Sequence, residues 1–374
     1  MPVKHIWTRG LPEGCELEGV GFYDEWIEFR LYCRDEMRMV RIDFLSGKTS
    51  IRSLGEPELR GSVEHKREFH SVFCYKGLKR RVWNRIIRGL NVKMKCRKDI
   101  CVVAVVQPNY NLEIQTYSGN GDLMEKIGLG KVYHFDVVAS ENLIAVTSAG
   151  FTEEGTATVL FDGSTGTVID YYTGFGGYAV ASPEMVFIIG KQEERTYTRG
   201  YNNDGEEMIH DEGVPVLAPF NPIPHQIDGM NGFQPKIVAL MDRHEIKIYN
   251  TIDYSIDYTV IRPPFTRGVF HIDEYNAAVL SMAMGKTLII NYDLKGRIKW
   301  ASHLVRDLRY AVISSNLVAM YVQRNKKGET RLYSISGNIL KHEESFGPNA
   351  MPIIARRSHI VLTDGRVVAA YAME

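Results

Sequence analysis

A unit that recurs about every 40 to 50 residues constrains this chain more than any other feature of it. It consists of a run of strand-forming residues, a short turn carrying glycine, and a second such run. Residues Thr156 to Tyr171 and Lys286 to Trp300 are its clearest copies. Valine, isoleucine, tyrosine and threonine on either side of the turn suit a pleated, half-buried surface, and glycine supplies the positive φ of a tight hairpin. Comparable turns fall near Gly47, Gly121, Gly166, Gly205, Tyr254, Gly296 and Gly337. A shorter pair of runs precedes the hairpin, as in Tyr133 to Val138 with Leu143 to Thr147, and Val269 to Asp273 with Ala277 to Ser281. Four strands per unit at this period describe one blade of a β-propeller.

The last unit, Met351 to Ala355, His359 to Thr363 and Arg366 to Ala372, stops after three strands. Its missing strand is expected at the other terminus. Residues Val3 to Leu11 read like Gly296 to Leu304, with Trp7 matching Trp300 and Leu11 matching Leu304. An N-terminal strand that completes the C-terminal blade leaves neither with a free edge. The expectation is therefore an all-β, closed β-propeller over residues 1–374, with eight four-stranded blades, or seven if one unit is split.

At this level the units resemble the β-propellers of the quinoprotein-like and WD-repeat-like kind. Leu288 to Trp300 looks like the strand–turn–strand of a quinoprotein-type repeat. The resemblance implies a fold and does not by itself imply a function. Quinoprotein dehydrogenases carry calcium and a quinone, often beside adjacent cysteines. This chain has no Cys-Cys pair and begins Met-Pro-Val-Lys-His without an apolar leader core, so catalysis is not carried over.

Two segments break the period: residues 56–90, between the first two units, and residues 212–234, which hold Pro215, Pro219, Pro222 and Pro224. The second reads as a stiff loop between blades. The first holds the charge. Over the whole chain 45 Lys and Arg balance 45 Asp and Glu, yet Arg60 to Lys98 holds 13 basic residues against Glu64 and Glu68 alone. A separation of this size points to a partner surface. Placed on a helix, residues 77–90 gather Leu78, Val82, Trp83, Ile86, Ile87 and Leu90 on one half. Arg80, Arg81, Asn84, Arg85 and Arg88 fall on the other, and Lys79 intrudes on the apolar half. A short basic helix is thus expected, one face buried and the other presenting guanidinium groups. Those groups match phosphate oxygens, and Phe73, Tyr75 and Trp83 are candidates to stack on bases. Lys93 and Lys95 share one face of the strand that follows and extend the positive stripe. RNA or a ribonucleoprotein is the expected partner of Lys79, Arg80, Arg81, Trp83, Arg85, Arg88, Lys93 and Lys95. The alternative is a protein-assembly scaffold, with the insertion docked on its own flank or facing an acidic protein.

Other chemistry is expected to be absent. His65, His70 and Cys74, with Cys96 and Cys101 near in sequence, lack the paired spacing of a zinc site, so no metal is expected. Five cysteines without a CxxC pair argue against a disulfide scaffold. His134 with Asp136 and His271 with Asp273 recur at the start of an inner strand, where such pairs tie neighbouring strands together. No nucleophile elbow, phosphate loop or dinucleotide fingerprint occurs, so neither catalysis nor a cofactor is expected. The longest apolar run, Cys101 to Val106, is too short to span a bilayer, and the expected compartment is the cytoplasm.

Overall fold

The computed structural model describes residues 3–373 except 23–25, 35, 78–79, 182–183, 218–236, 251–253, 263–265, 273–276, 284–285, 293–296, 304–307, 315, 325–326, 337–338, 348–349 and 357. Among the described residues every regular element is a β-strand. The strands pair antiparallel in chain order, four at a time. Strands 16–22, 26–32, 37–43 and 49–55 form one such sheet, and 177–181, 185–192, 195–202 and 207–212 another. Three more comprise strands within 214–261, 266–303 and 308–346. Strand 123–139 is long enough to serve two sheets. Its first part pairs with 111–118 beside 100–106 and 91–97, and its second with 143–150 beside 157–162 and 168–173.

The expected terminal pairing is present. Strand Val3–Gly10 runs antiparallel to Val367–Met373, which continues through 359–363 to 351–356. Trp7 sits opposite Ala370 and is buried, and its indole N–H donates to the Phe44 carbonyl at 3.2 Å. The expected turns at Gly47, Gly121, Gly166, Gly205 and Tyr254 all have positive φ, from 55° at Tyr254 to 90° at Gly121. Gly296 and Gly337 lie outside the described residues, as do most of the expected proline loop and Leu304.

The chain divides into two compact units, Leu31–Arg38 with Ser53–Pro215 in one, and Met1–Arg30, Met39–Arg52 and Val216–Glu374 in the other. Within the first, sheets stack face to face, which accounts for the uninterrupted apolar run 100–106. Ile100, Val102, Ala104 and Val106 pack towards Phe135, Val137, Ile144 and Val159 of the following sheet. Cys101, Val103 and Val105 pack the opposite way, against Leu59, Val72, Cys74, Trp83 and Ile87. A strand covered on both faces has no need of polar alternation. Leu143 and Ala145 repeat the pattern against Phe175, Val186 and Ile188 one sheet further on. In the second unit, Val312, Leu317, Ala319 and Leu332 pack against Ala355, Ile360 and Leu362.

The insertion departs from the expected helix. Residues 59–66, 69–76 and 80–88 form a three-stranded antiparallel sheet. Trp83 and Ile87, its buried pair, are four residues apart, a spacing that places two side chains on one face of a helix and of a strand alike. β-branched Val82, Ile86 and Ile87 and the aromatic Trp83 favour the strand, and the 69–76 strand supplies the partner ladder.

Candidate functional site

The 59–88 sheet has one covered and one open face. Inward go Leu59, His70, Val72, Cys74, Trp83 and Ile87, all buried. The ladder registers then arrange the other face in four rows across the strands. Arg60, Tyr75 and Arg81 form the first and Ser62, Phe73 and Asn84 the second. Glu64, Ser71 and Ile86 form the third, and Lys66, Phe69 and Arg88 the fourth. Each end row thus carries an aromatic ring beside a cation, Arg81 at Tyr75 and both Lys66 and Arg88 at Phe69, while the Arg60 guanidinium lies over the buried Tyr32 ring at 4.7 Å. Rows two residues apart are separated by about 6.8 Å along the strand, and the Phe73 and Tyr75 rings lie 6.2 Å apart. The Arg81 guanidinium lies 6.0 Å from the Phe73 ring centre, and that of Arg88 6.0 Å from Phe69. Phe69 is 55% exposed and Ile86 72%, far more than a residue of a closed core.

The expected contact residues are split by this arrangement. Arg80, Arg81 and Arg88 are exposed, and Arg88 also reaches Glu68 at 3.5 Å. Lys79 lies outside the described residues. Trp83 is buried at 8% exposure, its ring 5.3 Å from that of Tyr117, so it cannot stack on a ligand. The cause is the turn at Gly121, which has no side chain and receives the indole directly. Arg85 shares Trp83's face, donates to the Gly121 carbonyl at 2.6 Å and lies over Tyr117, so it fastens the sheet to its neighbour.

Lys93 likewise leaves the expected stripe. Val92, Met94 and Cys96 point towards the insertion, so alternation sends Lys93 and Lys95 to the opposite face. There Lys93 Nζ meets Asp136 Oδ1 at 2.5 Å and the Phe135 carbonyl at 2.8 Å. Asp136 also accepts from the Ala179 amide at 3.2 Å and faces His134 Nε2 at 3.2 Å. One carboxylate therefore joins three successive sheets, the strand-tying role expected of the pair. The second copy, the His271 side chain and Asp273, lies outside the described residues.

The open face also holds Arg60, Lys66 and Phe69, which are not among the expected contacts, and Ile86, which was expected on the buried half and is instead 72% exposed. The signal available was the alternation of Phe69, Ser71, Phe73 and Tyr75 with His70, Val72 and Cys74, which is a strand's period.

The candidate metal ligands separate into two groups. His70 Nε2 donates to the Gly89 carbonyl at 3.0 Å, which leaves its Nδ1 to accept from His65 Nδ1 at 3.1 Å. Cys74, Cys96 and Cys101 come together, all buried and within 4.8 Å of one another. Contrary to the sequence expectation, Cys96 and Cys101 are joined as a disulfide, and Cys15 and Cys33 are disulfide-bonded as well. Cys96 and Cys101 face each other across adjacent strands, a register that a count of sequence spacings does not reveal. Cys74 is a free thiol, and burial pushes its pKa up to about 12.

No protein-family model matches this chain, and no curated protein does. Among solved structures it is similar to BamB from Moraxella catarrhalis, at 9% identity and a TM-score of 0.43 over 99% of this chain and 100% of that one. A eukaryotic initiation factor is similar at 12% identity and a TM-score of 0.44, over 93% and 91% of the two chains. The WD40 domain of SCAP from fission yeast is similar at 10% identity and a TM-score of 0.36, over 98% of each. At 12% identity or less, each of these likenesses concerns fold alone. No helix among the described residues is long and apolar enough to cross a membrane.

Proposed function

We propose that this protein is a non-enzymatic binding platform that holds single-stranded RNA, free or within a ribonucleoprotein, on the open face of its 59–88 sheet. We read its four-stranded sheets as the blades of one propeller, eight in number, with strand Val3–Gly10 completing the last. One observation carries the functional reading: the rows Tyr75–Arg81 and Lys66–Phe69–Arg88, in which a ring able to stack on a base stands beside cations able to meet phosphates. An apolar protein groove would not call for cations in both rows. The one described carboxylate–histidine pair the sequence offered for acid–base work, Asp136 with His134, is occupied by Lys93 and the Ala179 amide, which favours a platform over an enzyme.

The test is binding of a fluorescent 12-mer of oligouridine to the wild-type protein and to an Arg81→Glu, Arg88→Glu double variant, with thermal denaturation of both. The double variant is expected to bind at least tenfold more weakly at about 50 mM salt, with an unchanged melting temperature, because two phosphate contacts become repulsive. Phe69→Ala is expected to cost about 1–3 kcal/mol of binding by loss of one stacked base. Unchanged binding with a lowered melting temperature would mean that the arginines serve protein contacts, and would replace this reading with the scaffold.

A further inference from the structure

The three buried sulfurs belong to three different strands. Cys74 lies on 69–76 of the insertion, Cys96 on 91–97 and Cys101 on 100–106. The disulfide holds the last two, within one hairpin, and the free Sγ of Cys74 stands 3.6 Å from Sγ of Cys101. We infer that this cluster is a site of internal thiol–disulfide exchange, in which the bond moves from Cys96–Cys101 to Cys74–Cys101 and covalently staples the insertion sheet to the sheet beneath it.

The step balances without any outside reagent. Cys74 gives up its proton and attacks Sγ of Cys101. The Cys74–Cys101 bond forms as the Cys96–Cys101 bond breaks, the electron pair leaves on Cys96, and Cys96 takes the proton. No sulfur is oxidised or reduced on balance. Cys74 and Cys101 are fully buried, so a soluble thiol such as glutathione has no path to them and the intramolecular partner has the advantage. The two linkages differ in what they constrain. The observed bond spans 5 residues and the alternative spans 27. The longer bridge constrains the unfolded chain more, so the stapled form is expected to resist unfolding roughly tenfold better, while the ratio of the two linkages in the folded protein is set by their local geometry. Because only the thiolate attacks, and burial holds the Cys74 thiol at a pKa of about 12, exchange is expected to speed up about tenfold per pH unit across the neutral and mildly alkaline range.

The experiment is disulfide mapping of the intact chain. Protein oxidised with glutathione disulfide is freed of reagent, held folded for a day at pH 7, 8 and 9, quenched in acid, alkylated under denaturing conditions and digested for mass spectrometry. A Cys74–Cys101 peptide that accumulates with pH, with Cys96 alkylated in proportion, supports the proposal. A Cys96→Ser variant, refolded from the reduced, denatured chain in glutathione disulfide so that both thiols are reachable, is expected to hold the Cys74–Cys101 linkage throughout. Finding only Cys96–Cys101 at every pH, with alkylation confined to Cys74, overturns the proposal whatever the variant does. Cys74 linked instead to Cys15 or Cys33 also overturns it, since that product comes from unfolded chains.

Discussion

Gly121→Ala tests how the insertion sheet is seated, and Gly55→Ala is its control. Both glycines have a positive φ, 90° at Gly121 and 95° at Gly55, so alanine meets similar backbone strain at either, of about 1–2 kcal/mol. They differ in what surrounds them. A Cβ at Gly55 meets nothing within 4 Å, whereas at Gly121 it stands 2.8 Å from Cγ and 3.1 Å from Cβ of Trp83. The Trp83 Cβ does not move with χ1, so a change of rotamer cannot clear it. Either Trp83 withdraws with its strand or the turn moves, and overpacking of this kind costs about 1–3 kcal/mol more. The Arg85 hydrogen bond to the Gly121 carbonyl is strained by the same movement.

The difference between the variants, about 2 kcal/mol, is therefore the measure of the seat. With an unfolding entropy of about 2.1 cal/mol/K per residue, 374 residues melting together lose about 1.3 °C per kcal/mol. Thermal denaturation should place Gly121→Ala about 2–3 °C below Gly55→Ala. Limited proteolysis should cut the 59–88 segment of Gly121→Ala sooner than that of the control. Equal melting temperatures and equal cleavage would show that Trp83 is not held against the turn, and with it the assignment of one covered and one open face would fall.

Two further outcomes are expected. Trp7→Ala should destabilise by about 3–5 kcal/mol, since Trp7 is 4% exposed, fills the space over Gly47 and caps the Phe44 carbonyl; a melting point within 1 °C of wild type would refute the role of the N-terminal strand. Asp162 is held down to about pKa 2, first by the Ser164 hydroxyl and then by the Thr165 and Ser164 amides. A carboxylate whose folded pKa is depressed gives stability that is present above its unfolded pKa and disappears as pH falls. Wild-type melting should accordingly fall more steeply between pH 4 and 2 than that of Asp162→Asn, and parallel curves would refute this.

The four-stranded sheets were legible because their signal is local. A hairpin turn, its glycine and the alternating runs beside it lie within 20 residues, as at Asp162 to Gly166, where the carboxylate caps the turn. The terminal pairing was legible through a side chain, Trp7, that must be buried wherever its strand goes. The insertion was misread because a single spacing was asked to decide between two periods. Trp83 and Ile87 satisfy both, and the strand alternation of 69–76, which would have decided it, lay outside the window. The cysteine cluster was not legible at all: it depends on the cross-strand register that sets Cys101 opposite Cys96 and stacks Cys74 above them.

The same stacking redistributes the charge from which the functional reading began. Of the 13 cations in the segment, Lys93 is bound to Asp136, Arg97 to the Ser140 and Ala139 carbonyls, Arg85 to Gly121 and Lys76 to Glu56. Those groups build the fold, and two of them, Lys93 and Lys76, are paired with carboxylates. On the three strands of the 59–88 sheet, Lys66, Arg80, Arg81 and Arg88 remain exposed. For a single strand the logarithm of the binding constant falls with the logarithm of salt by about 0.7 per phosphate neutralised, so four cations imply a slope near −3 and all 13 one near −9. The oligouridine titration already described, repeated between about 50 and 200 mM salt, reads this slope directly. A value near −3 that falls by about half in the Arg81→Glu, Arg88→Glu variant would locate binding on this face. A steep slope that the variant leaves unchanged would place the RNA elsewhere on the chain, because it would require cations that the 59–88 sheet has already committed to its own neighbours.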